Sequence, residues 1–174
     1  MGSATVSQEG IVSSVGDNVT IFCTTMGGPS NSFLWEFNGN IVAADNTVNL
    51  VAIDASYGGN YTCTVSNAAG TDSVSTILYV APYIATPLDE QTLTASESTV
   101  NISCDATGFP TPNVKWVNSS GLVVSSSSQL EFRPAIFGDE GIYLCVAFIE
   151  INGTNFTVTN QTTLIGNNII IIEN

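Results

Sequence analysis

The feature that most constrains the fold is a pattern of cysteine, tryptophan and tyrosine that occurs twice at nearly constant spacing. The first copy consists of Cys23, Trp35, Tyr61 and Cys63, and the second of Cys104, Trp116, Tyr143 and Cys145. Cys104 follows Cys23 by 81 residues, and Cys145 follows Cys63 by 82. Self-similarity at a fixed spacing is the signature of a repeated folding unit. We therefore predict domains at residues 1–81 and 82–166, joined by a linker at residues 81–83, with a stub at 167–174.

Both halves of the chain are acidic. The 174 residues include 15 acidic and 2 basic side chains, which gives a formal net charge of −13. A surface of this sign repels the phosphates of nucleic acids and of anionic lipids, so we expect neither as a partner. A basic partner or a divalent cation would be attracted instead. The acidity has an equally simple alternative role, which is to keep an extracellular domain soluble and monomeric.

The residue types that catalysis requires are scarce in this sequence. It contains no histidine, which excludes a Ser–His–Asp triad. The four cysteines form no Cys-x-x-Cys motif, which argues against a zinc site or a redox site and favours an oxidising compartment. We expect no enzyme activity and no cofactor. The acidic pairs Asp89 with Glu90 and Asp139 with Glu140 leave weak calcium binding as an alternative, although neither lies in an EF-hand-like loop.

Alternation of apolar and polar residues predicts β-strands throughout the chain, and no stretch shows sustained helical periodicity. The clearest alternating sets are Val19, Ile21 and Cys23; Phe33, Trp35 and Phe37; Thr76, Leu78 and Val80; and Val100, Ile102 and Cys104. Asn38 with Gly39 and Asn152 with Gly153 are hairpin signals. The segment between Cys104 and Trp116 contains two prolines and is predicted as a loop. The expected fold class is all-β.

Three motifs resemble the intermediate-set (I-set) domains of the immunoglobulin superfamily. They are Cys-x-Ala-x-Gly-x-Pro-x-Pro-x-Val-x-Trp at 104–116, Asp-x-Gly-x-Tyr-x-Cys at 139–145, and Cys-Thr-Val-Ser-Asn-Ala-Ala-Gly at 63–70. The cysteines of each half lie 40 and 41 residues apart, which leaves no room for the extra central strands of antibody variable domains. The resemblance covers nearly the whole chain and implies two antiparallel β-sandwiches in tandem.

The resemblance also assigns roles to the repeated residues. It implies disulfides Cys23–Cys63 and Cys104–Cys145, each joining the two sheets of one sandwich, with Trp35 and Trp116 packed in the cores. It implies that Tyr61 and Tyr143 each form the hydrogen bond of a tyrosine corner. One departure is Tyr57, which stands where the second copy has Asp139. We therefore expect the first domain to lack a turn anchored by a carboxylate.

The outward side chains of the tyrosine–cysteine strands differ between the two halves. Side chains alternate across a strand, so the residues next to the inward tyrosines and cysteines point outward. In the second half the outward set is Val117, Leu144, Val146 and Phe148. In the first half the corresponding strand offers Thr62, Thr64 and Ser66. Exposed contiguous apolar area marks interfaces, so we hypothesise that the second set binds a partner or a second copy. The alternative is that an edge strand or the entry loop covers it.

Seven Asn-x-Ser/Thr sequons are N-glycosylation candidates, which favours a secretory route. They begin at Asn18, Asn60, Asn101, Asn118, Asn152, Asn155 and Asn160. Asn101 lies between inward residues and is predicted to face solvent. Asn160 falls on the inward register of its strand, so it lies beside a bulge or is a poor acceptor. A glycan on Asn155 would lie at the rim of the apolar face and compete with a partner.

Tandem I-set domains occur in cell-adhesion molecules and in the ectodomains of receptor tyrosine kinases. The resemblance thus implies a non-catalytic, extracellular protein–protein recognition module from a membrane-anchored cell-surface adhesion molecule or signalling receptor. Its expected partner is a protein ligand or a homophilic copy, and a cytoplasmic kinase in the full-length protein stays an open alternative. A structural rod of the extracellular matrix is another alternative. A soluble immune-type binder would need exposed loop aromatics, for which Phe109 is the clear candidate.

The two ends of the chain resemble neither a signal peptide nor a membrane span. Residues 1–4 lack a basic start and an apolar core, so we interpret them as the start of an excised recombinant fragment. The apolar run at residues 169–172 is far shorter than the roughly 20 residues that a spanning helix needs.

Overall fold

The structure, a computed structural model, describes residues 3–26, 31–85, 87–88, 91–93 and 98–166, with the backbone alone at residues 91–93, 98 and 137. The chain divides into two compact units, and the second begins at Pro82. We call these units domain 1 and domain 2. The predicted stub at 167–174 lies outside the described residues.

Domain 1 is a sandwich of two sheets. Its strands are β1 (Ala4–Val6), β2 (Gly10–Ser13), β3 (Val19–Thr25), β4 (Ser32–Phe37), β5 (Asn40–Ala43), β6 (Thr47–Leu50), β7 (Gly59–Asn67) and β8 (Gly70–Ile84). One sheet has the order β1-β3-β6. The other contains β8, β7, β4 and β5 in that order, and β2 pairs in parallel with β8.

The edges of domain 1 differ from the sequence prediction at two places. Ala4, which we assigned to a recombinant start, is buried in β1, and its N–H donates to the Asp72 carboxylate at 2.7 Å. Residues 81–83 are not a separate linker, because β8 continues to Ile84 as extended backbone.

The core of domain 1 follows from the predicted alternation. The inward residues of β3 are buried, and Trp35 on β4 and Cys63 on β7 are fully buried opposite them. Fully burying such an apolar side chain contributes about 1.5–3 kcal/mol. Cys23 on β3 and Cys63 on β7 are bonded, with 6.4 Å between their Cα atoms, so the disulfide joins the two sheets at the centre of this core.

Domain 2 has the same two-sheet arrangement. Its strands are β9 (Gln91–Leu93), β10 (Ser98–Ser103), β12 (Asn113–Asn118), β13 (Val123–Ser125), β14 (Gln129–Ala135), β15 (Gly141–Ile151) and β16 (Thr154–Gly166). Strand β11 (Ala106–Phe109) lies between β10 and β12 in the chain and belongs to neither sheet of domain 2. One sheet pairs β10 with β14, and the other has the order β13-β12-β15-β16-β9. Cys104 and Cys145 are bonded, and Trp116 is fully buried beside them.

The segment before Trp116 contains more structure than the sequence predicted. We expected a loop from Cys104 to Trp116, but Ala106–Phe109 forms strand β11. Phe109, the candidate loop aromatic, therefore ends a strand instead of standing in a loop. The short run of small and polar residues before it carries no alternating pattern, which is why the pattern analysis missed the strand.

Both predicted hairpin turns have the backbone geometry that their Asn-Gly sequences favour. Asn38 and Gly39 have φ values of 50° and 77°, and Asn152 and Gly153 have 50° and 79°. Two successive positive φ values match the right-handed twist of the flanking strands, as in a type I′ turn. The turns fix the register of β4 with β5 and of β15 with β16, and hence which side chains face outward.

Each domain has a tyrosine corner formed by the tyrosine of the repeated pattern. The Tyr61 hydroxyl donates to the Tyr57 carbonyl at 2.9 Å, and the Tyr143 hydroxyl donates to the Asp139 carbonyl at 2.7 Å. These bonds hold the short 3₁₀ turns at Ala55–Tyr57 and Phe137–Asp139 against the strands that follow them.

The prediction that domain 1 lacks a carboxylate-anchored turn is wrong. Asp54 caps its 3₁₀ turn and accepts hydrogen bonds from the Ser56 N–H, at 2.8 Å, and from the Ser56 hydroxyl. Both bonds lower the pKa of Asp54, and the bond from the Ser56 hydroxyl has the larger effect. In domain 2 the carboxylate lies at the other end of the turn, where Asp139 accepts from the Ile136 N–H at 3.0 Å. A carboxylate at either end can therefore close this turn.

The described part of the chain is all-β apart from these 3₁₀ turns, as the sequence predicted. In that part, no helix is long and apolar enough to cross a membrane.

Candidate functional site

The predicted apolar set lies on the outward face of the larger domain 2 sheet. Val117 on β12 is directly opposite Leu144 on β15, and Val146 and Phe148 follow Leu144 at alternate positions of β15. All four side chains are half-buried, so they are neither covered completely nor fully exposed. We call this surface, defined by Val117, Leu144, Val146 and Phe148, the β12/β15 face.

Two exposed side chains extend the face beyond the predicted set. Val123 on β13 pairs with Val117 and is 46% exposed, while Ile142 precedes Leu144 on the same side of β15 and is 42% exposed. Ile142 has the parity of Leu144, so alternation alone could have identified it. Val123 can be assigned to the face only from the pairing of β13 with β12, which the sequence does not reveal.

Polar residues border the face on the side of β16. Thr157, Thr159 and Gln161 lie opposite Phe148, Val146 and Leu144 in the β15–β16 ladder. An apolar strip with a polar border is the usual composition of a protein-binding surface.

One cation lies on the face. The Lys115 ammonium is 5.5 Å from the centre of the Phe148 ring, within reach of a cation–π interaction. Lys115 forms no ion pair with a carboxylate of the described residues, whereas Arg133 pairs with Glu131. An open groove of about 460 Å³ lies beside Lys115 and Phe148, and the serines at 126–128 form its other wall.

The corresponding face of domain 1 is more polar along β7, although Leu34 on β4 lies opposite Thr64 and Ile41 on β5 is 65% exposed. Thr62, Thr64 and Ser66 on β7 are half-buried outward residues, and we call the surface that they form with β4 the β4/β7 face. Two cross-strand pairs of hydroxyls bond to each other on it. They are Thr62 with Ser75 at 2.9 Å and Ser32 with Ser66 at 2.7 Å. These hydroxyls already have partners within the sheet, so they offer a partner protein few free hydrogen-bonding groups.

The core indoles also differ between the domains. Trp116 donates from Nε1 to the Ser128 carbonyl at 3.3 Å. In domain 1 the buried Nε1 of Trp35 has no hydrogen-bond partner among the described residues, and the same holds for the buried Thr76 hydroxyl. A buried donor without a partner costs about 1–3 kcal/mol of desolvation.

The sequons divide by exposure. Exposed asparagines occur at Asn18, Asn60, Asn101, Asn152 and Asn155, and half-buried ones at Asn118 and Asn160. Asn101 faces solvent as predicted. Asn160 lies on the inward side of β16, paired with Cys145, which is the register that the sequence predicted for it. Asn155 pairs with Glu150 at the hairpin end of the β12/β15 face.

The described residues form no site for the calcium ion that the sequence analysis left as an alternative. Asp89 and Glu90 lie outside them, and the Asp139 carboxylate is engaged with the Ile136 N–H. Where side chains are described, no three of His, Cys, Asp or Glu come together as a metal site would require.

Comparison with protein families gives two matches. The family model described as immunoglobulin domain matches residues 3–67 and again residues 81–148. Together the two regions span well over half of the chain and include all four bonded cysteines.

Three curated relatives are similar to this chain over most of its length. Human hemicentin-1 is 29% identical over 153 residues, 76% of this chain and 3% of hemicentin-1. The Xenopus laevis cell adhesion molecule-related/down-regulated by oncogenes protein is 30% identical over 127 residues, 66% of this chain and 10% of that protein. The mouse basement membrane-specific heparan sulfate proteoglycan core protein is 29% identical over 144 residues, 76% of this chain and 4% of that protein. The chain thus spans a tenth or less of these relatives.

A solved structure that addresses Dscam isoform specificity resembles the chain with a TM-score of 0.62 at 22% identity. The match covers 96% of this chain and 47% of that chain. At this identity the likeness concerns the fold.

Proposed function

Because the chain belongs to the immunoglobulin-domain family, with one match in each half, we propose that it is an extracellular protein–protein recognition module of a cell-surface adhesion protein or receptor. We assign domain 1 to residues 1–81 and domain 2 to residues 82–166. The Xenopus relative, which is named as a cell adhesion molecule-related protein, supports this proposal. Two disulfides in one short chain support an oxidising, extracellular location.

The observation that carries the proposal is the apolar β12/β15 face. Four contiguous half-buried apolar side chains lie on the outer side of a regular sheet, and exposed Val123 and Ile142 continue them. Burying apolar area against a partner contributes roughly 25 cal/mol per Å² before the costs of association. Aromatic side chains dominate such interfaces, so Phe148 is the expected centre of the contact.

The partner that best fits this acidic chain is a basic protein with apolar side chains of its own and a carboxylate that meets Lys115. The chain has a net charge of −13, so a complex of two copies would carry a net charge of −26. Repulsion of this kind disfavours self-association and favours encounter with an oppositely charged surface. A glycan on Asn155, at the hairpin end, would limit access to Phe148 and thereby regulate binding.

The proposal is tested by paired substitutions in the two domains. Val146→Ser with Phe148→Ser removes the centre of the β12/β15 face, and Thr64→Ala with Ser66→Ala changes the corresponding positions of domain 1. The probe is the labelled chain, applied to cells that each display one extracellular protein. We expect the wild type and the domain 1 variant to bind the same basic protein, and the domain 2 variant to bind at least tenfold more weakly. Equal binding by all three would exclude this face as the contact surface.

Sedimentation separates a basic partner from a second copy. We expect the purified chain to be a monomer at 50 mM and at 500 mM salt. A dimer that strengthens with salt, because salt screens like charges, would show that the partner is a second copy.

A second candidate function is a structural rod of the extracellular matrix. The mouse relative that is named as a basement membrane-specific proteoglycan core protein supports this second function. The origin of the chain from a receptor tyrosine kinase is a narrower form of the first proposal. The full-length reading frame tests both, since a spanning helix followed by a kinase supports the receptor and a long array of repeats without one supports the matrix protein.

A further inference from the structure

We propose that Asn60 carries an N-linked glycan that covers the β4/β7 face of domain 1 and closes it to protein partners. This inference rests on the proposed function, because N-glycosylation requires passage through the secretory pathway. Its consequence is a division of labour, in which the glycan shields the sheet of domain 1 and the sheet of domain 2 is available to bind.

The position of Asn60 makes it an accessible acceptor. Asn60 is exposed at the start of β7, and it opens the sequon Asn60-Tyr61-Thr62. Because side chains alternate along a strand, Asn60 and Thr62 lie on the same outward face. The Asn60 amide nitrogen Nδ2 is 3.4 Å from the Thr62 hydroxyl. This long bond is the one side-chain hydrogen bond of Asn60 within the described residues, and a sugar on Nδ2 would disturb it.

Asn160 offers the internal contrast among the sequons. It is half-buried on the inward side of β16, in register with Cys145, and its Oδ1 accepts the Gln161 N–H at 2.8 Å. A sugar on its Nδ2 would have to enter the space between the sheets. We therefore expect Asn60 to be modified and Asn160 to stay unmodified in the folded, secreted protein.

The outward residues that follow Asn60 on its own strand are polar. The next outward residues of β7 are Thr62, Thr64 and Ser66, so the row from Asn60 to Ser66 is about 20 Å long at the usual rise of a strand. Two of the three hydroxyls are already paired across the sheet, that of Thr62 with Ser75 and that of Ser66 with Ser32. The same face also holds half-buried Leu34 and Ile77 and exposed Ile41, so a glycan on Asn60 would cover apolar as well as polar side chains.

The two domains also differ at the position directly before the tyrosine of the repeated pattern. Domain 1 has Gly59-Asn60-Tyr61, and domain 2 has Gly141-Ile142-Tyr143 at the same place before its cysteine. Ile142 is 42% exposed and extends the apolar β12/β15 face. The same site of the repeated unit therefore holds a glycan acceptor in one domain and an exposed apolar side chain in the other.

The modification is a transfer from a lipid-linked oligosaccharide pyrophosphate. A bond forms between the Asn60 Nδ2 and the anomeric carbon of the first sugar, while the bond from that carbon to the pyrophosphate oxygen breaks. The amide nitrogen loses one proton, and the lipid pyrophosphate leaves with the bonding electron pair. The donor is supplied by the secretory pathway.

The test uses the chain secreted from animal cells. Enzymatic release of the glycans in ¹⁸O-labelled water converts each occupied asparagine to labelled aspartate, which peptide mass mapping locates. We expect label at residue 60 and none at residue 160. The variants Asn60→Gln and Thr62→Ala should each lose the mass of one glycan, because they destroy the same sequon in different ways. Neither variant should change binding at the β12/β15 face.

The outcomes separate this inference from the proposed function. Secreted protein with both disulfides formed, other sequons labelled and residue 60 unlabelled would overturn the glycan on Asn60 and leave the recognition function in place. Label at residue 160 would overturn the exposure argument. A chain with four free thiols and no label at any sequon would overturn the extracellular function itself.

Discussion

Domains 1 and 2 share one frame and differ in what they present to solvent. In both, a disulfide, a buried indole and a tyrosine corner occupy matching positions. On the outer side of the larger sheet, domain 1 has paired hydroxyls and a sequon, while domain 2 has valine, leucine, isoleucine and phenylalanine. The comparison teaches that the inward residues fix the fold. Outward residues of the same strands are not constrained in this way, and those of β7 are polar where those of β15 are apolar.

The largest expected effect tests whether the two frames are equivalent. Replacing Cys23 and Cys63 by Ala, or Cys104 and Cys145 by Ala, opens loops of 40 and 41 residues respectively. Loops of nearly equal length should cost nearly equal stability, about 4 kcal/mol in each domain. Guanidinium titration of the two variants measures this. A loss confined to one domain would contradict the equivalence of the frames.

The next effect concerns the core indoles. Trp116→Phe removes the hydrogen bond to Ser128, whereas Trp35→Phe removes a buried N–H without a described partner. Both variants lose similar packing, so we expect Trp35→Phe to cost about 1–2 kcal/mol less than Trp116→Phe. Thermal unfolding of the two variants gives the comparison. An equal cost, or a larger one for Trp35→Phe, would mean that the Trp35 N–H is hydrogen-bonded in solution.

A smaller effect appears at alkaline pH. The pKa of Tyr61 is raised from 10.0 to about 12. Burial of the hydroxyl is the larger cause, and repulsion from Tyr57 is the smaller one. The folded state therefore keeps its proton after the unfolded state has lost it. The contribution of Tyr61 to the free energy of unfolding is therefore present below pH 10 and is lost as the pH rises from 10 towards 12. Unfolding measured from pH 8 to 12 should show a decline that Tyr61→Phe reduces, and a decline unaffected by that substitution would contradict the assignment.

The smallest expected effect is on the stability of domain 2 after loss of its outward apolar side chains. Val146→Ser with Phe148→Ser should lower its free energy of unfolding by about 1 kcal/mol or less, because surface substitutions away from core and turn features have small effects. Chemical denaturation checks this value. A loss above about 3 kcal/mol would mean that these residues belong to the core of domain 2.

Much of this account could be predicted from alternation and spacing. The inward residues around Trp35 and Trp116, the hairpins at Asn38 and Asn152, and the outward direction of Val146 all follow from the two-residue period of a strand. The Asp54 cap could not be predicted from the motif, because the same turn is closed by a carboxylate at its other end in domain 2. Strand β11 and the continuation of β8 to Ile84 depend on backbone pairing, which residue patterns do not record.

The measurement that tests the central claim most directly transfers the domain 1 sequon to domain 2. Ile142→Asn with Leu144→Thr creates Asn-Tyr-Thr at 142–144, the sequence that domain 1 has at 60–62. Partner binding by the secreted variant is compared before and after enzymatic glycan release, with Asn60→Gln as the matched control. The account predicts that the new glycan lowers affinity at least tenfold, that its removal restores part of the loss, and that Asn60→Gln binds as the wild type does. Undiminished binding by a variant shown to carry the glycan at residue 142 would contradict the assignment of the β12/β15 face as the recognition surface.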